Sequence, residues 1–388
     1  MQESLTHWDA TMMATYGIPA LVLVNGKNAT VWDVDGNSYI DFLAGIAVNS
    51  LGHAHPELVQ AVSEQVATLG HTSNFVAHPQ VLKLAKRLVD LTHPSARVFF
   101  CNSGAEANEA AIKISRRTGR THIVSLEGSF HGRTTGALSV TGQSAKSGPF
   151  LPLLPDVTFI GPNDVAALRE TVTTETAALW LEPILGEGGV IPLTNAYLQA
   201  ARQVCNETGA LLVVDEVQTG IARTGTMFAY EQAGILPDIL LLAKGLGGGL
   251  PIGACIGFGP AATLLTAGQH GTTFGGNPIS CAAANAVLDV VAKESLQERA
   301  LKIEQVIRNF LVSCDGVQEI RGAGAMLGIV LTADFGPNVV SAARDLGLIT
   351  NSPLPNVLRI VPPLTITDSE LNQGLEILKT AILQAWKV

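Results

Sequence analysis

The feature that most constrains the fold is an alternation of two hydrophobic periods between about residues 56 and 285. Short runs rich in Val, Ile and Leu are separated by longer segments in which apolar residues recur every three or four positions. This alternation is typical of a mostly parallel sheet whose strands are joined by crossover helices. The predicted strands are 97–100, 122–126, 178–181, 211–214, 239–243 and 254–258. The predicted helices include 56–68, 80–91, 105–118 and 196–208.

The pattern changes on both sides of this region. After about residue 286, long amphipathic segments at 296–314 and 368–386 surround short strand patterns such as 326–331 and 357–360, which predicts a separate α+β layer. Near the start, strand patterns at 30–34 and 38–42 flank a turn at 35–37 and predict a hairpin. We therefore expect a large α/β domain at 56–285, a smaller α+β domain at 286–388, and an N-terminal segment 1–55 that contributes to the small domain.

Composition limits the classes of function. With 47% hydrophobic and 15% charged residues, the 388-residue chain has enough apolar material for a large core. A formal net charge of -9 argues against binding to nucleic acid through its phosphates. No stretch has the uninterrupted apolar length of a membrane span, and residues 1–14 lack the features of a signal peptide. The five scattered cysteines form no metal-ligand pattern, so we expect no metal site and reduced thiols in the cytoplasm.

Two predicted strands end at residues that suit cofactor chemistry. The apolar run 211–214 leads to Asp215 at the carboxyl edge of the sheet, where open α/β sheets bind ligands. A carboxylate there could keep a pyridinium nitrogen protonated, or could simply cap a turn or helix. The run 239–243 leads to Lys244, followed by several glycines. Burial lowers the pKa of an amine toward the range of a competent nucleophile, but a lysine that supports a phosphate-binding loop fits these local residues equally well.

A phosphate site is predicted where the strand 97–100 meets the helix 105–118. The residues Ser103, Gly104 and Ala105 lie at the N-terminus of that helix, where free backbone N–H groups and the positive end of the dipole favour one phosphate group. The same sequence is also that of an ordinary N-cap, and both interpretations are compatible in one structure.

Three further loops carry side chains that suit a planar cofactor and acidic substrates. Phe130 could cover a planar ring and Arg133 could bind a carboxylate, although a lone loop arginine is usually solvated. Glu187, in a glycine-rich loop, and Arg359 could form an ion pair that closes the site, or could be unrelated surface charges. The loop 270–277 contains threonine hydroxyls that could reach a phosphate, or it is an ordinary connection.

Several motifs occur in the order in which they occur in one protein family. They are NSGAEANEA at 102–110, SFHGRT at 129–134, LEP at 181–183, GEGG at 186–189, DEVQTG at 215–220, LAKG at 242–245 and HGTTFGGNP at 270–278. The chain resembles the class III (subgroup III) aminotransferases of fold type I, which depend on pyridoxal 5′-phosphate (PLP). The resemblance extends from about Met12 to the C-terminus, and segment 44–56 is most similar to members that act on N-acetylornithine.

The resemblance implies a fold type I PLP-dependent transferase and a role for each motif position. The cofactor would be bound by Ser103, Gly104, Ala105, Phe130, Asp215, Glu216, Val217, Gln218, Lys244 and Thr273. The substrates would be bound by Arg133, Thr272, Glu187 and Arg359. Lys244 and Asp215 would be catalytic, the first by carrying PLP and the second by pairing with its ring nitrogen. In the family, the residue matching Thr273 reaches the phosphate from the neighbouring subunit, which implies a homodimer with shared sites.

The resemblance also implies a reaction, in which the δ-amino group of N2-acetyl-L-ornithine passes to 2-oxoglutarate. Alternatives within the family are ornithine, succinylornithine or another ω-amine as donor, and the aminomutase reaction on glutamate semialdehyde. From another class, the glycine-rich loops alone would fit a non-catalytic nucleotide-binding protein. One departure from the family is Ala222, where glycine is more common, and it alters a turn without touching the matched positions.

Overall fold

The computed structural model describes residues 1–387. Its strands are β1 (Leu23–Lys27), β2 (Thr30–Asp33), β3 (Ser38–Asp41), β4 (Arg97–Cys101), β5 (His122–Leu126), β6 (Val157–Ile160), β7 (Thr176–Leu181), β8 (Ile184–Leu185), β9 (Ile191–Pro192), β10 (Leu211–Asp215), β11 (Ile239–Leu242), β12 (Gly253–Gly257), β13 (Val317–Ala323), β14 (Met326–Leu331), β15 (Leu348–Ile349), β16 (Asn351–Leu354) and β17 (Val357–Ile360). Its α-helices are α1 (Gln2–Thr11), α2 (Ala44–Ala47), α3 (Pro56–Thr68), α4 (Pro79–Leu91), α5 (Gly104–Arg116), α6 (Thr135–Ser139), α7 (Ser144–Ser147), α8 (Val165–Thr171), α9 (Asn195–Thr208), α10 (Pro278–Lys293), α11 (Leu296–Leu311), α12 (Gly336–Asp345) and α13 (Asp368–Trp386). Short 3-10 turns lie at Gly148–Phe150, Ala229–Ala233, Lys244–Leu246 and Gly259–Thr263.

The central sheet has the strand order β4-β12-β11-β10-β7-β5-β6. Strand β10 is parallel to β11 and β7, and β5 is parallel to β7 and β6. Strand β12 runs antiparallel to β11 and to β4, so it alone opposes the common direction in the sheet as described for residues 1–387. The predicted mostly parallel α/β sheet is therefore confirmed.

Burial explains which strands could be predicted from the sequence. All residues of β11 and β7 are buried, because helices cover both faces of the sheet, and such strands read as continuous apolar runs. The edge strand β6 was not predicted, because its central residues Thr158 and Phe159 are exposed and break the apolar run. None of the helices within residues 1–387 combines the length and hydropathy needed to span a bilayer.

The two ends of the chain share a sheet. The predicted hairpin of β2 and β3 forms with antiparallel pairing, β1 joins it on one side, and β15 pairs with β3 in parallel on the other. A second sheet of the C-terminal region has the order β13-β14-β17-β16 and contains Arg359 on β17. Glu370 caps α13 and also accepts hydrogen bonds from Asn28 and Thr30, which links the N-terminal strands to the last helix.

Helix α2 is a left-handed turn. The φ angles of Ala44, Gly45, Ile46 and Ala47 are 48°, 63°, 66° and 60°. Each non-glycine residue in this conformation costs about 1–2 kcal/mol. Two hydrogen bonds from the backbone N–H groups of Leu43 and Ala44 to Asp41 Oδ1 (2.9 and 2.8 Å) support the turn. The sequence did not predict this turn, which leads directly into the cavity described next.

Candidate active site

The carboxyl ends of β4, β5, β7, β10 and β11 surround a cavity of about 420 Å³. Ten of the residues predicted to form the site line this cavity. They are Ser103, Gly104, Ala105, Phe130, Arg133, Glu187, Asp215, Val217, Gln218 and Lys244. The lining also includes the apolar residues Val48, Leu250 and Ile252. The sheet topology therefore collects residues that are far apart along the chain at one edge, as expected for an open α/β sheet.

One end of the cavity is the N-terminus of α5. The Ser103 hydroxyl accepts a hydrogen bond from the Glu106 N–H at 3.2 Å, so it caps the helix as one of the two interpretations expected. The first N–H groups of a helix have no partner within it and can bind a phosphate. A Cβ at Gly104 would lie 2.9 Å from both γ-carbons of Val217, so glycine is required for this close approach.

Lys244 lies two residues after the end of β11, at the opening of a 3-10 turn. Its φ of 42° is in the left-handed region that is unfavourable for a non-glycine residue. Burial, and secondarily the positive charge of Arg359, lowers the pKa of the Lys244 amine to about 8. An amine with this pKa is partly neutral near neutral pH, so it can act as a nucleophile and as a base.

Asp215 is the last residue of β10 and is 4% exposed. Its Oδ2 lies 2.8 Å from His131 Nδ1 and 3.0 Å from Asn108 Nδ2, and its Oδ1 accepts from the Val217 N–H at 3.0 Å. These three contacts hold the carboxylate in one orientation at the cavity. An anion in this position can pair with a protonated ring nitrogen.

Two cations stand over the ring of Phe130. The Arg133 guanidinium carbon is 5.7 Å and the Lys146 Nζ is 5.1 Å from the ring centroid. Burial lowers the pKa of Lys146, and the charges of Arg133 and Arg359 act in the same direction. Lys146 was not predicted, because a single lysine outside any recognisable motif cannot be distinguished by sequence from a solvated surface lysine.

Glu182 was also missed as a site residue, although it is part of the LEP motif. It lines the cavity, and its carboxylate accepts from the N–H groups of Phe130 (2.9 Å) and Gly186 (3.3 Å). Burial, reinforced by the negative charge of Asp215, raises the pKa of Glu182 to about 7. The side chain thus connects the loop that carries Phe130 to the loop that carries Glu187.

Glu187 and Arg359, which are 172 residues apart in the sequence, form an ion pair with a distance of 2.5 Å. The Arg359 side chain is fully buried, whereas that of Glu187 is 23% exposed. Burial opposes the ionisation of Glu187, but the charge and hydrogen bond of Arg359 outweigh it and lower the pKa of Glu187. Arg359 also bonds to Gln218 Oε1 (3.4 Å), and its Nη2 has no hydrogen-bond partner among residues 1–387.

Comparisons with known proteins agree with this geometry. The sequence profile of the family Aminotransferase class-III matches residues 12–382. The chain belongs to the class III aminotransferases. It is 51% identical to the acetylornithine aminotransferase of Streptomyces coelicolor, over 99% of this chain and 96% of that protein. It is 52% identical to the acetylornithine aminotransferase of Mycobacterium tuberculosis, over 94% of this chain and 92% of that protein.

Solved structures of the family have the same fold as this class III aminotransferase. The N-acetylornithine aminotransferase of Stenotrophomonas maltophilia has a TM-score of 0.84 and 38% identity, with 98% of each chain covered. The ornithine aminotransferase of Toxoplasma gondii has a TM-score of 0.94 and 32% identity, with 100% of this chain and 95% of that chain covered. The predicted fold type I PLP-dependent transferase is therefore confirmed.

PLP is the cofactor of this class III aminotransferase, and the cavity residues fit it. The α5 N-terminus suits its phosphate, and the buried Asp215 carboxylate, held by three donors, suits its ring nitrogen. Lys244 lies at the same cavity with an amine of lowered pKa, and Phe130 offers an aromatic face. No group of three or more His, Cys, Asp or Glu side chains within the described chain is arranged to hold a metal ion.

Four expected positions of this class III aminotransferase are not among the residues that line the cavity of their own chain. One of them, Arg359, meets the cavity through its ion pair with Glu187, and the others are Glu216, Thr272 and Thr273. The Glu216 carboxylate accepts from the N–H groups of Ala229 (2.7 Å) and Tyr230 (2.8 Å), so its side chain points into the core, and a cofactor contact by Glu216 stays a prediction. Thr272 accepts a hydrogen bond from Asn102 (3.2 Å), and Thr273 is exposed on the same surface loop.

Proposed function

We propose that this class III aminotransferase transfers the δ-amino group of N2-acetyl-L-ornithine to 2-oxoglutarate, giving N-acetyl-L-glutamate 5-semialdehyde and L-glutamate. This reaction is a step of arginine biosynthesis. The identity of about 50% to acetylornithine aminotransferases over nearly the whole chain supports this choice of amine. The relation to an ornithine aminotransferase is more distant, at 32% identity.

The observation that carries the proposal is the Glu187–Arg359 pair at a cavity that also contains Arg133. The reaction needs one site that accepts an ω-amine with a single distant carboxylate and then a 2-oxo acid with two. Arg133 would bind the carboxylate remote from the reacting carbon in both substrates, since arginine binds carboxylates in a two-pronged geometry. Arg359 would be masked by Glu187 when the amine binds, and would bind the α-carboxylate of 2-oxoglutarate once Glu187 moves away.

The partial exposure of Glu187 and its glycine neighbours support such a movement. Glu187 lies between Gly186 and Gly188 in a loop, and Arg359 is held rigidly on β17. The Arg359 Nη2 that lacks a partner within residues 1–387 offers a donor to an incoming carboxylate oxygen. Loss of the Glu187 contact is therefore compensated by the substrate.

PLP, when bound, supplies an electron sink that stabilises negative charge on the substrate carbon. Lys244 Nζ would hold the cofactor before the reaction and then move a proton at the reacting carbon of the substrate, for which its lowered pKa is suited. Asp215 would present its carboxylate to the ring nitrogen in the orientation that its three hydrogen-bond partners hold. Phe130, held by Glu182 through its backbone N–H, would cover one face of the site and exclude water.

The proposal includes a homodimer with shared sites and a cytoplasmic location. Thr272 and Thr273 lie outside their own cavity, and nearby Phe75 and Phe274 are 98% and 60% exposed, as expected of a surface that a second copy covers. Thr273 would then bind phosphate, and Thr272 would line the substrate pocket, in the neighbouring subunit. The five cysteines are buried and unpaired in the described chain, in keeping with a reducing compartment.

A panel of amines tests the choice of substrate. Steady-state rates with 2-oxoglutarate are measured for N-acetylornithine, succinylornithine and free ornithine. We expect the highest kcat/KM for N-acetylornithine, with stoichiometric release of glutamate. A higher kcat/KM for free ornithine would overturn the choice of amine, and glutamate semialdehyde turnover without any 2-oxo acid would favour the aminomutase reaction instead.

A further inference from the structure

Two fully buried side chains that have no assigned role, Asn108 and Trp180, lie behind Asp215. Both are 0% exposed. Asn108 is on the second turn of α5, and its Nδ2 lies 3.0 Å from Asp215 Oδ2. The Asn108 Oδ1 accepts a hydrogen bond of 2.8 Å from the indole N–H of Trp180, which is on β7. The three side chains thus form one continuous chain of hydrogen bonds within the core.

The indole determines the orientation of the amide. An indole N–H can only donate, so the Asn108 carbonyl oxygen must face Trp180 and the amino group must face the other way. On that other side the amino group meets three acceptors, namely Asp215 Oδ2 and the carbonyl oxygens of Gly104 (2.9 Å) and His131 (3.0 Å). A flipped amide would place its oxygen against all three acceptors, and its amino group against the indole donor.

The orientation of the Asn108 amide determines how the Asp215 carboxylate is held at the cofactor site. A buried carboxylate is stabilised as an anion by each donor that faces it. Asn108 Nδ2 and His131 Nδ1 both lie within hydrogen-bond distance of Oδ2, and the Val217 N–H donates to Oδ1. The carboxylate is therefore held at a defined rotation, with one lone pair of Oδ1 free for the cavity. Asn108 also connects Gly104, at the phosphate end of the site, to His131, at the ring end.

We propose that Asn108 is a positioning residue that holds the Asp215 carboxylate in the orientation that meets the ring nitrogen of PLP, and that Trp180 fixes the direction of the Asn108 amide. The inference rests on the proposed function only in that PLP occupies the cavity. It does not depend on which amine is the substrate.

The test compares two ligands in apoenzyme that is otherwise intact. One is PLP, and the other is its carbocyclic analogue, in which a CH group replaces the ring nitrogen. Trp180→Phe keeps an aromatic ring in the core and removes only the N–H donor and part of the indole. Tyr197→Phe is the matched control, because Tyr197 is also fully buried and its hydroxyl has no hydrogen-bond partner among residues 1–387.

We expect Trp180→Phe to raise the Kd of PLP about 3- to 10-fold, the effect of losing one oriented hydrogen bond. The Kd of the analogue should change less than about twofold, because it has no nitrogen for Asp215 to bind. Tyr197→Phe should change neither value. If Trp180 and Asn108 had a purely structural role, the Kd values of both ligands would rise by the same factor. That outcome, or an unchanged Kd for PLP, would overturn the inference.

A second variant covers the case in which Trp180→Phe fails to fold. Asn108→Ala removes the donor to Asp215 directly and leaves the indole in place. We expect this variant to raise the Kd of PLP more than the Kd of the analogue. An equal rise in both Kd values would again overturn the inference. Because both measurements are of binding, failure of the acetylornithine assay leaves them interpretable.

Discussion

Replacing Glu216 by glutamine tests whether this carboxylate belongs to the core or to the cofactor site. Glu216 is 1% exposed, and its carboxylate accepts hydrogen bonds from Ala229, Tyr230 and Thr219. Burial raises its pKa to about 7 from an ordinary value of 4.5, against the opposing effect of these hydrogen bonds. The folded chain therefore binds this proton more tightly than the unfolded chain does.

The sign and size of the effect follow from proton linkage. Since the folded state binds more protons between the two pKa values, the free energy of unfolding falls as the pH rises through this window. Between about pH 5.5 and about pH 7.5, the linkage relation predicts that this one group lowers the free energy of unfolding by about 2 kcal/mol. Glutamine cannot ionise, so Glu216→Gln should lack that loss. Any change in hydrogen bonding by the amide adds an offset that is independent of pH.

The assay is urea unfolding of wild-type and variant holoenzyme at both pH values, at one protein and PLP concentration. The other titrating groups are common to both proteins and cancel in the difference. We expect the stability of the variant relative to the wild type to be about 2 kcal/mol higher at the upper pH than at the lower, with an unchanged Kd for PLP. An equal relative stability at both pH values would refute the linkage argument. A raised Kd for PLP would indicate that Glu216 contributes to the cofactor site. The comparison variant Glu182→Gln should show a similar pH effect on stability, because the pKa of Glu182 is also about 7. It should in addition weaken the binding of PLP.

Three further predictions concern the reaction itself. Lys244→Ala should abolish transamination while PLP still binds non-covalently; turnover and mass spectrometry after borohydride treatment check this, and near-normal activity would reject the role of Lys244. Glu187→Gln should lower the KM for 2-oxoglutarate about tenfold, equivalent to ~1.4 kcal/mol, because Arg359 is no longer masked; an unchanged KM would count against the switch. A mixture of inactive Lys244→Ala and Thr273→Asp chains, unfolded and refolded together, should regain about a quarter of wild-type activity, because half of the dimers are hybrids with one complete site. No recovery would contradict shared sites.

Local sequence was sufficient wherever a structure depends on neighbours along the chain. Helix α3 and strands β5, β14 and β17 begin and end at the predicted residues, because their apolar periods are unbroken. Lys244 and Asp215 could be assigned to one edge of the sheet, because residues that follow parallel strands meet there. The motif order then distinguished a PLP site from a phosphate loop, which the residues around Lys244 alone could not do.

Local patterns failed where exposure or backbone strain decided the conformation. The strand β6 lies at an edge and lacks an apolar run, and the left-handed turn at residues 44–47 opposes the intrinsic preference of alanine and isoleucine. Contacts made by the rest of the fold stabilise both. The direction of the Glu216 side chain was likewise set by the N–H groups of Ala229 and Tyr230, which its own motif does not contain.

The sequence by itself thus determined the fold class, the cofactor and the residues at the strand ends, because these follow from local periods and ordered motifs. Only the tertiary structure decided which side chains meet across the chain. The Glu187–Arg359 ion pair spans 172 positions, and the bonds from Trp180 through Asn108 to Asp215 join two strands and a helix. Such pairings carry no local signal, since a buried charge or amide is specified by the partner that satisfies it and not by its neighbours in sequence.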